Sequence, residues 1–515
     1  MNKDAIYPLY LEQMQGLQRF RQSYHGHYRT EALESDDPEL QRLTEALAYC
    51  SAHAQHLGQA SFKQHQRTLV AQVYPFMLSP LPAKTLVQLQ SSEKLPQRMT
   101  IKAGTELHLA SESGTAAIFR TCRDLPLLPM TLQRVDAKTL GLRDVEVSLS
   151  FRAFKRQFQA PGTIPILLDI YQDVLQTLKV LYAFESAKCS ASFDNSESRY
   201  PCAFTVPNEV FYPGMHPVES TRQKLHHPSS EFCTEWRVNQ SPASWQEITL
   251  HVRVKSDLLP GWQTDYFKPF CVPIINLQRA NAKRLKVDGT QAHFPILPQE
   301  GDTLSTLHSV LGVYQIEQQN RRPLPPNMIN SAVAKNSRVP GFDIDWHSEN
   351  NDVRTLNLNL PTAFTRPCSV DVEAHWHQPE FSTVFWQKMQ VSPLALEVPG
   401  VTFSLIGQRT KYQASNVSSE MLNSLLGVRS HEVLTTWHVN AIVTILSLEW
   451  NEVFELISES YMGAVALSGP NQFAVQINLT SQHLPLIRLF LSYLEAVIRT
   501  WFAPQNVNLT LELLA

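Results

Sequence analysis

The sequence predicts a multidomain α+β protein: an N-terminal helical bundle segment, then several small β-rich barrels or sandwiches, then a C-terminal α+β domain. Three observations carry this. Apolar residues recur at three- and four-residue spacing to about residue 78, and at a spacing of two from about residue 84. The 515 residues suffice for about three domains at roughly 100–200 residues each. Apolar residues make up 43% and charged residues 18%, which excludes wholesale disorder.

In the first helix Ile6, Tyr10, Met14, Leu17 and Tyr24 fall on one face. Ser35-Asp36-Asp37-Pro38-Glu39 reads as the next helix start, with Asp37 as cap and Pro38 in the first turn. Behind it Leu40, Leu43, Leu47, Cys50, Ala54 and Leu57 keep a strict 3-4-3-4 spacing. So narrow a seam belongs to a helix packed along another helix. It is the candidate partner interface, and packing against the chain's own helix 6–24 is the competing reading. A third helical piece is expected over Phe62–Leu78, ended by Pro75.

From residue 84 strands are expected at Leu86–Leu89, Met99–Ile101, Glu106–Leu109, Ala117–Thr121, Met130–Val135 and Val145–Leu149. A strand at Ile164–Ile170 leads into a helix carrying Val174, Leu178, Leu181 and Tyr182. Residues 186–243 read as loops, and strands return at Ile248–Val254 and Cys271–Leu277. The Pro- and Arg-rich stretch 318–340 is the expected linker. Beyond it come strands at Thr355–Leu360, Val370–Ala374 and Val401–Ile406, helices at 418–427 and 485–502, and a final strand through Val507, Leu509, Leu511 and Leu513. The expected modules are therefore 1–82, 83–150, 151–317, the linker 318–340, and 341–515.

The composition also excludes function classes. With 44 Lys and Arg against 47 Asp and Glu the net charge is −3, which gives no basic face for nucleic acid. No run approaches the ~18 apolar residues of a membrane span, and the N-terminus has no signal-peptide pattern. Seven scattered cysteines without a C-x-x-C pair fit reduced thiols in cytoplasm. Phosphate-cradling, nucleophile-elbow and zinc-protease motifs are absent. His375 and His377 share a strand face that could hold a metal, but no third ligand falls at a telling spacing, so a polar strand face is expected. His25 and His27 read as loop residues after a helix. Asp343, Asp345, Glu349 and Asp352 lack the order of a calcium loop and read as a solvated acidic loop. No catalytic, cofactor-binding or metal-ligating residue is expected. An assembly component is favoured over an enzyme.

Several segments resemble the TssF family, the baseplate wedge subunit of bacterial type VI secretion systems. Tyr7–Leu17 resembles its Tyr-rich first helix, and Asp37-Pro38-Glu39-Leu40-Gln41-Arg42-Leu43-Thr44-Glu45 its D-P-x-[VL]-x-R-L-x-E. Val73-Tyr74-Pro75-Phe76-Met77-Leu78-Ser79-Pro80-Leu81-Pro82 is similar to its V-Y-P-x-x-L-x-P-x-P. Gly104-Thr105-Glu106-Leu107, Phe119-Arg120-Thr121 and Cys271-Val272-Pro273-Ile274-Ile275-Asn276-Leu277 follow in the family's order. Leu486–Trp501 resembles its C-terminal helix. Residues 186–245 and 318–480 carry no such likeness.

The resemblance implies a non-enzymatic structural subunit without cofactors. It implies a TssG-like partner joined through helices, a TssK-like adaptor, a TssE-like subunit and a VgrG-like spike hub, with self-association within the wedge. It also implies a cytoplasmic location, at the inner membrane's cytoplasmic face when assembled. A related phage-like baseplate wedge protein is the first alternative, and a soluble β-rich hydrolase or carbohydrate-binding protein the second. A charge at Leu43 or Leu47 is expected to abolish partner binding or folding.

Overall fold

A computed structural model describes residues 3–27, 38–95, 97–111, 116–141, 144–207, 216–255, 261–299, 304–317, 320–326, 340–345, 354–379, 389–394, 399–414, 423–424, 427, 434–447, 450–501 and 507–514. Helices and small, mostly antiparallel sheets alternate along the chain, so the α+β expectation holds.

The N-terminus is a helical hairpin. Helix α1 runs Lys3–His27 and α2 runs Pro38–Val73 without interruption. Two helices were expected in place of α2, but Gly58 and Phe62 sit inside one helix of 36 residues, roughly 54 Å long at about 1.5 Å per residue. His25 and His27 belong to α1 and not to a loop. Pro75 stops α2 as expected, and the chain turns through a short 3-10 helix at Pro75–Met77. Val70, Tyr74, Met77 and Leu78 are buried there, which roots the hairpin in the body.

The body centres on a six-stranded antiparallel sheet in the order 390–393, 106–110, 116–121, 271–275, 84–91, 401–410. Strand Lys84–Ser91 pairs with Cys271–Ile275 on one side and Val401–Thr410 on the other. This corrects the expected modules: strands from 83–150, 151–317 and 341–515 share one sheet. Local periodicity marks each strand but not its partner, so the boundaries were drawn through a single unit. Two further sheets follow, one of 130–139, 144–157, 245–255, 189–193 and 200–201, the other of 267–269, 162–168, 233–238 and 203–205. Strand Gly162–Leu168 leads into α3 (Val174–Glu185), where Asp173 caps the N-terminus by accepting from the backbone N–H of Leu175 at 2.8 Å.

Residues 186–243 are not the expected loops. They contain the strands Cys189–Phe193 and Cys233–Val238, and helix α4 (Pro217–His226). Helix α4 is polar yet almost wholly buried, which is why its sequence reads as loop. Arg222, Gln223, Lys224 and His226 are all interior, and buried polar groups of this kind need partners. Arg222 donates to the carbonyls of Phe76 and Ser79, Lys84 Nζ donates to Gln223 O at 3.2 Å, and Lys224 pairs with Glu231 at 3.0 Å. Burial, against the attraction of neighbouring carboxylates, lowers the Lys84 ammonium to about 8.

Residues 278–377 form a module with its own core, built around Val313, Leu356, Val370, Val372, Ala374 and Trp376. It carries one sheet of 278–281, 285–287, 368–377, 306–317 and 320–323, and another of 293–295, 355–359 and 341–345. The expected linker is partly structured, since Asn320–Pro323 pairs with Thr306–Glu317. Asp343 and Asp345 lie in strand Gly341–Asp345, not in a loop, while Glu349 and Asp352 fall outside the described residues. The module is inserted between two strands of the central sheet. The chain leaves the sheet at Ile275 and rejoins it at Gln390.

The C-terminal part shares the body's core. Two helices absent from the sequence reading, α5 (Thr436–Ser447) and α6 (Glu452–Ser460), precede a three-stranded sheet. There Gln472–Ile477 runs parallel to Asn508–Leu513, joined through α7 (Leu484–Trp501), as a parallel pair requires a crossover. Both α7 and the last strand fall where expected. The expected helix 418–427 lies almost wholly outside the described residues.

Candidate partner-binding surface

Helix α2 has two unlike faces. Ala48 and Ala52 are fully buried, and between the two helices Gln13 Nε2 donates to Gln55 Oε1 at 2.9 Å. The small side chains let α1 approach closely. At about 100° per residue, Leu43, Leu47, Cys50, Ala54 and Leu57 centre on the far side of α2 from Ala48 and Ala52. They are open to solvent: Leu43 is 66% exposed, and Leu47 and Leu57 are each 56% exposed. Cys50 and Ala54 are exposed as well, and the Leu40 side chain lies outside the described set. The chain's own first helix therefore packs on the alanine face, and the described seam side chains point away from it.

The exposure is concentrated. Eight of the 23 large apolar side chains left exposed among the described residues lie on this hairpin, including Tyr7, Leu11, Phe20, Tyr49 and Phe62. Single exposed apolar residues are ordinary, whereas a contiguous stripe marks an interaction site.

At its root the hairpin is held by α4 and α7. Arg222 donates through Nη2 to Ser79 O at 3.0 Å and through Nη1 to Phe76 O. The Phe76 ring stacks on His216 at 4.2 Å, and Tyr74 meets Trp501 at 5.6 Å.

Among the described residues no group of three or more His, Cys, Asp or Glu side chains is placed to hold a metal ion. His375 and His377 do lie on one strand face, but they are packed against His308 with ring centroids 6.4 and 6.0 Å away. A cavity of about 20 Å³ beside Asp169 and Asp173 holds no more than a water molecule. A groove of about 600 Å³ along Val391–Pro393 and Val401–Phe403 has no titratable side chain in its lining. Among the described residues no helix is long and apolar enough to cross a membrane.

Two cores, a central sheet assembled from distant strands and a projecting hairpin with a bare apolar stripe define a multi-sheet β-rich chain bearing a helical arm. Known proteins share this architecture. The family model described as type VI secretion system, TssF, matches residues 23–157 and 233–354. The type VI secretion system component TssF1 of Pseudomonas aeruginosa is 29% identical over 116 residues, a stretch that spans 22% of this chain and only 19% of that protein. A chain of the TssK-TssF-TssG baseplate subcomplex superposes with a TM-score of 0.71 at 13% identity, covering 92% of this chain and 96% of that one. A chain of the type VI secretion baseplate complex gives 0.54 at 13% identity, over 96% and 93% of the two chains. The chain belongs to the TssF family.

Proposed function

We propose that this chain is a structural subunit of a type VI secretion baseplate, and that it joins a TssG-like subunit through the stripe Leu43, Leu47, Cys50, Ala54 and Leu57. The observation that carries this is the solvent exposure of an apolar helical seam on the face of α2 turned away from α1. A narrow seam of this period suits another helix, packed knobs into holes. Membership of the TssF family supports the baseplate role, and the likeness to a chain of the TssK-TssF-TssG subcomplex supports TssG-like and TssK-like neighbours. The role is one of assembly and not catalysis, and the reading extends to a TssE-like subunit, a VgrG-like hub and a second copy of this chain within the wedge. The site of assembly is the cytoplasm, at the inner membrane's cytoplasmic face. Membership of the TssF family favours this reading over a hydrolase or carbohydrate-binding protein.

Cys50 supplies a probe within the stripe. Its thiol is exposed in the single chain and should react with a maleimide. Co-expression with the TssG-like protein of the same locus should give a stoichiometric complex by light scattering, in which Cys50 is protected. A well-behaved monomer that ignores that protein would overturn the reading.

A further inference from the structure

The inserted module 278–377 sits on the body through a defined junction. Asn276, just after the chain leaves the central sheet, and Gln378, just after the module's strand Cys368–His377, bond to each other twice. Gln378 N donates to Asn276 Oδ1 at 2.7 Å, and Asn276 Nδ2 donates to Gln378 Oε1 at 3.2 Å. Both also bind the sheet at Ile118, whose carbonyl accepts from Asn276 at 3.0 Å and whose N–H donates to Gln378 Oε1 at 3.2 Å.

Beside this amide pair three histidines are enclosed at the module's base. His377 stacks on Tyr412 of the body at 4.8 Å, nearly parallel, and its Nε2 meets Thr306 Oγ1 at 2.9 Å. His308 and His375 share the Ser309 hydroxyl, at 3.0 and 3.3 Å. His308 Nε2 and His377 Nδ1 are buried with no hydrogen-bond partner among the described residues. The charged groups facing them are mostly cationic: Arg354 and Arg222 toward His308, Arg354 toward His377, and Arg120, Arg279 and Glu373 toward His375. Arg120 lies on the central sheet and Arg222 on α4, so protonation at the base would set positive charge on module and body against each other.

We propose that this junction is an acid-sensitive seat: uncharged, the three histidines hold the module on the body, and their protonation releases it. Burial first, and guanidinium groups second, lower His375 to about 4 and His377 to about 3, while burial and then His377, His375 and the arginines hold His308 well below its ordinary value. All three are neutral in the seated state, while a released module exposes them to water with ordinary values near 6.5. The seat is therefore fully stable above about pH 6.5 and weakens as the pH falls below it, by about tenfold per pH unit for each proton taken up. Glu373, the acid that faces His375 among the described residues, stays ionised through this window. Burial raises the Glu373 carboxyl, but Arg279, Arg321 and Tyr314 outweigh it and bring it below its usual value.

Hydrogen exchange on the full chain between pH 7.5 and 5, corrected for intrinsic rates, tests this. Peptides covering 304–317 and 368–378 should lose protection below pH 6.5 by at least tenfold more than peptides of α7, which contains no histidine. A double variant His308→Asn, His377→Gln should remove the excess. Tyr412→Ala, which uncovers His377 and brings its seated value back toward 6.5, should shrink the excess while its onset stays near pH 6.5. Parallel loss of protection in the module and α7, or an unchanged pH profile in the double variant, would overturn the proposal. If the double variant does not fold at neutral pH, the wild-type contrast and the smaller excess in Tyr412→Ala decide it.

Discussion

Arg222 donates to the carbonyl of Ser79 from the interior of the protein, 143 residues further along the chain. With its second bond, to Phe76, it closes the point where the helical arm leaves the body. The guanidinium binds two carbonyls of the turn after α2, and so fixes the direction of the arm as well as its attachment.

Arg222→Leu should therefore lower stability by about 3 kcal/mol, since hydrogen bonds to a charged group contribute roughly 1.5–3 kcal/mol each and the carbonyls would stay buried. The midpoint of urea unfolding reads the loss. Hydrogen exchange should rise first at residues 74–79.

The two faces of α2 should respond oppositely. Leu43→Asp and Leu47→Asp place a charge in solvent, so stability should change by no more than about 0.5 kcal/mol while binding of the TssG-like partner is lost. The sequence alone had left open that such a charge would prevent folding, and the exposure of both leucines removes that outcome. Ala52→Leu instead overfills the contact with α1 and should cost about 1–3 kcal/mol. Unfolding curves and co-purification, run side by side, separate the two effects.

His251 lies between the hydroxyls of Ser148 and Ser192, each 2.9 Å from a ring nitrogen. Burial chiefly, then Arg199, lowers it to about 4 against the pull of Glu146. The folded form resists the proton that the unfolded chain accepts near pH 6.5, so its contribution is complete above that value and declines as the pH falls toward 4. His251→Gln should flatten this part of the pH–stability curve. An unchanged slope would mean that other groups set it.

Asn440 of α5 guards a sheet edge. Its Oδ1 accepts from the Tyr461 hydroxyl and from the N–H of Ala464 at 3.1 Å, on the strand Tyr461–Ala466, which carries no charge and exposes Met462 and Val465. An uncharged open edge invites pairing with another chain. Asn440→Ala should produce concentration-dependent self-association in light scattering. A variant that stays monomeric would show that α5 shields the edge by bulk alone.

The legible parts of the fold were the local ones. Leu43, Leu47 and Cys50 declared a helical seam, Pro75 its end, and the alternation through Val145–Leu149 a strand, because each signal is written in neighbouring residues. The 3-4-3-4 spacing also placed the candidate surface on one face, although which side α1 would cover depended on Ala48 and Ala52, too small to register as a stripe. Helix α4 was hidden because its buried face is made of Arg222, Lys224 and His226, whose interior position rests on partners such as Phe76 and Glu231. The central sheet was hidden for a related reason, since nothing near Lys84–Ser91 announces Val401–Thr410 as its neighbour. The histidine cluster needed His308, 67 residues before His375, and no spacing rule connects them.

That remote neighbour has a consequence in time. Strand Lys84–Ser91 leaves the ribosome about 310 residues before Val401, an interval of roughly 15–60 s at about 5–20 residues per second. Throughout it, one side of a strand meant for the interior of the molecule faces water with its hydrogen-bonding groups unmatched. Production of this protein is thus a race between translation and misassociation, and slowing the ribosome over residues 280–400 should lower the soluble yield more than slowing it after residue 410.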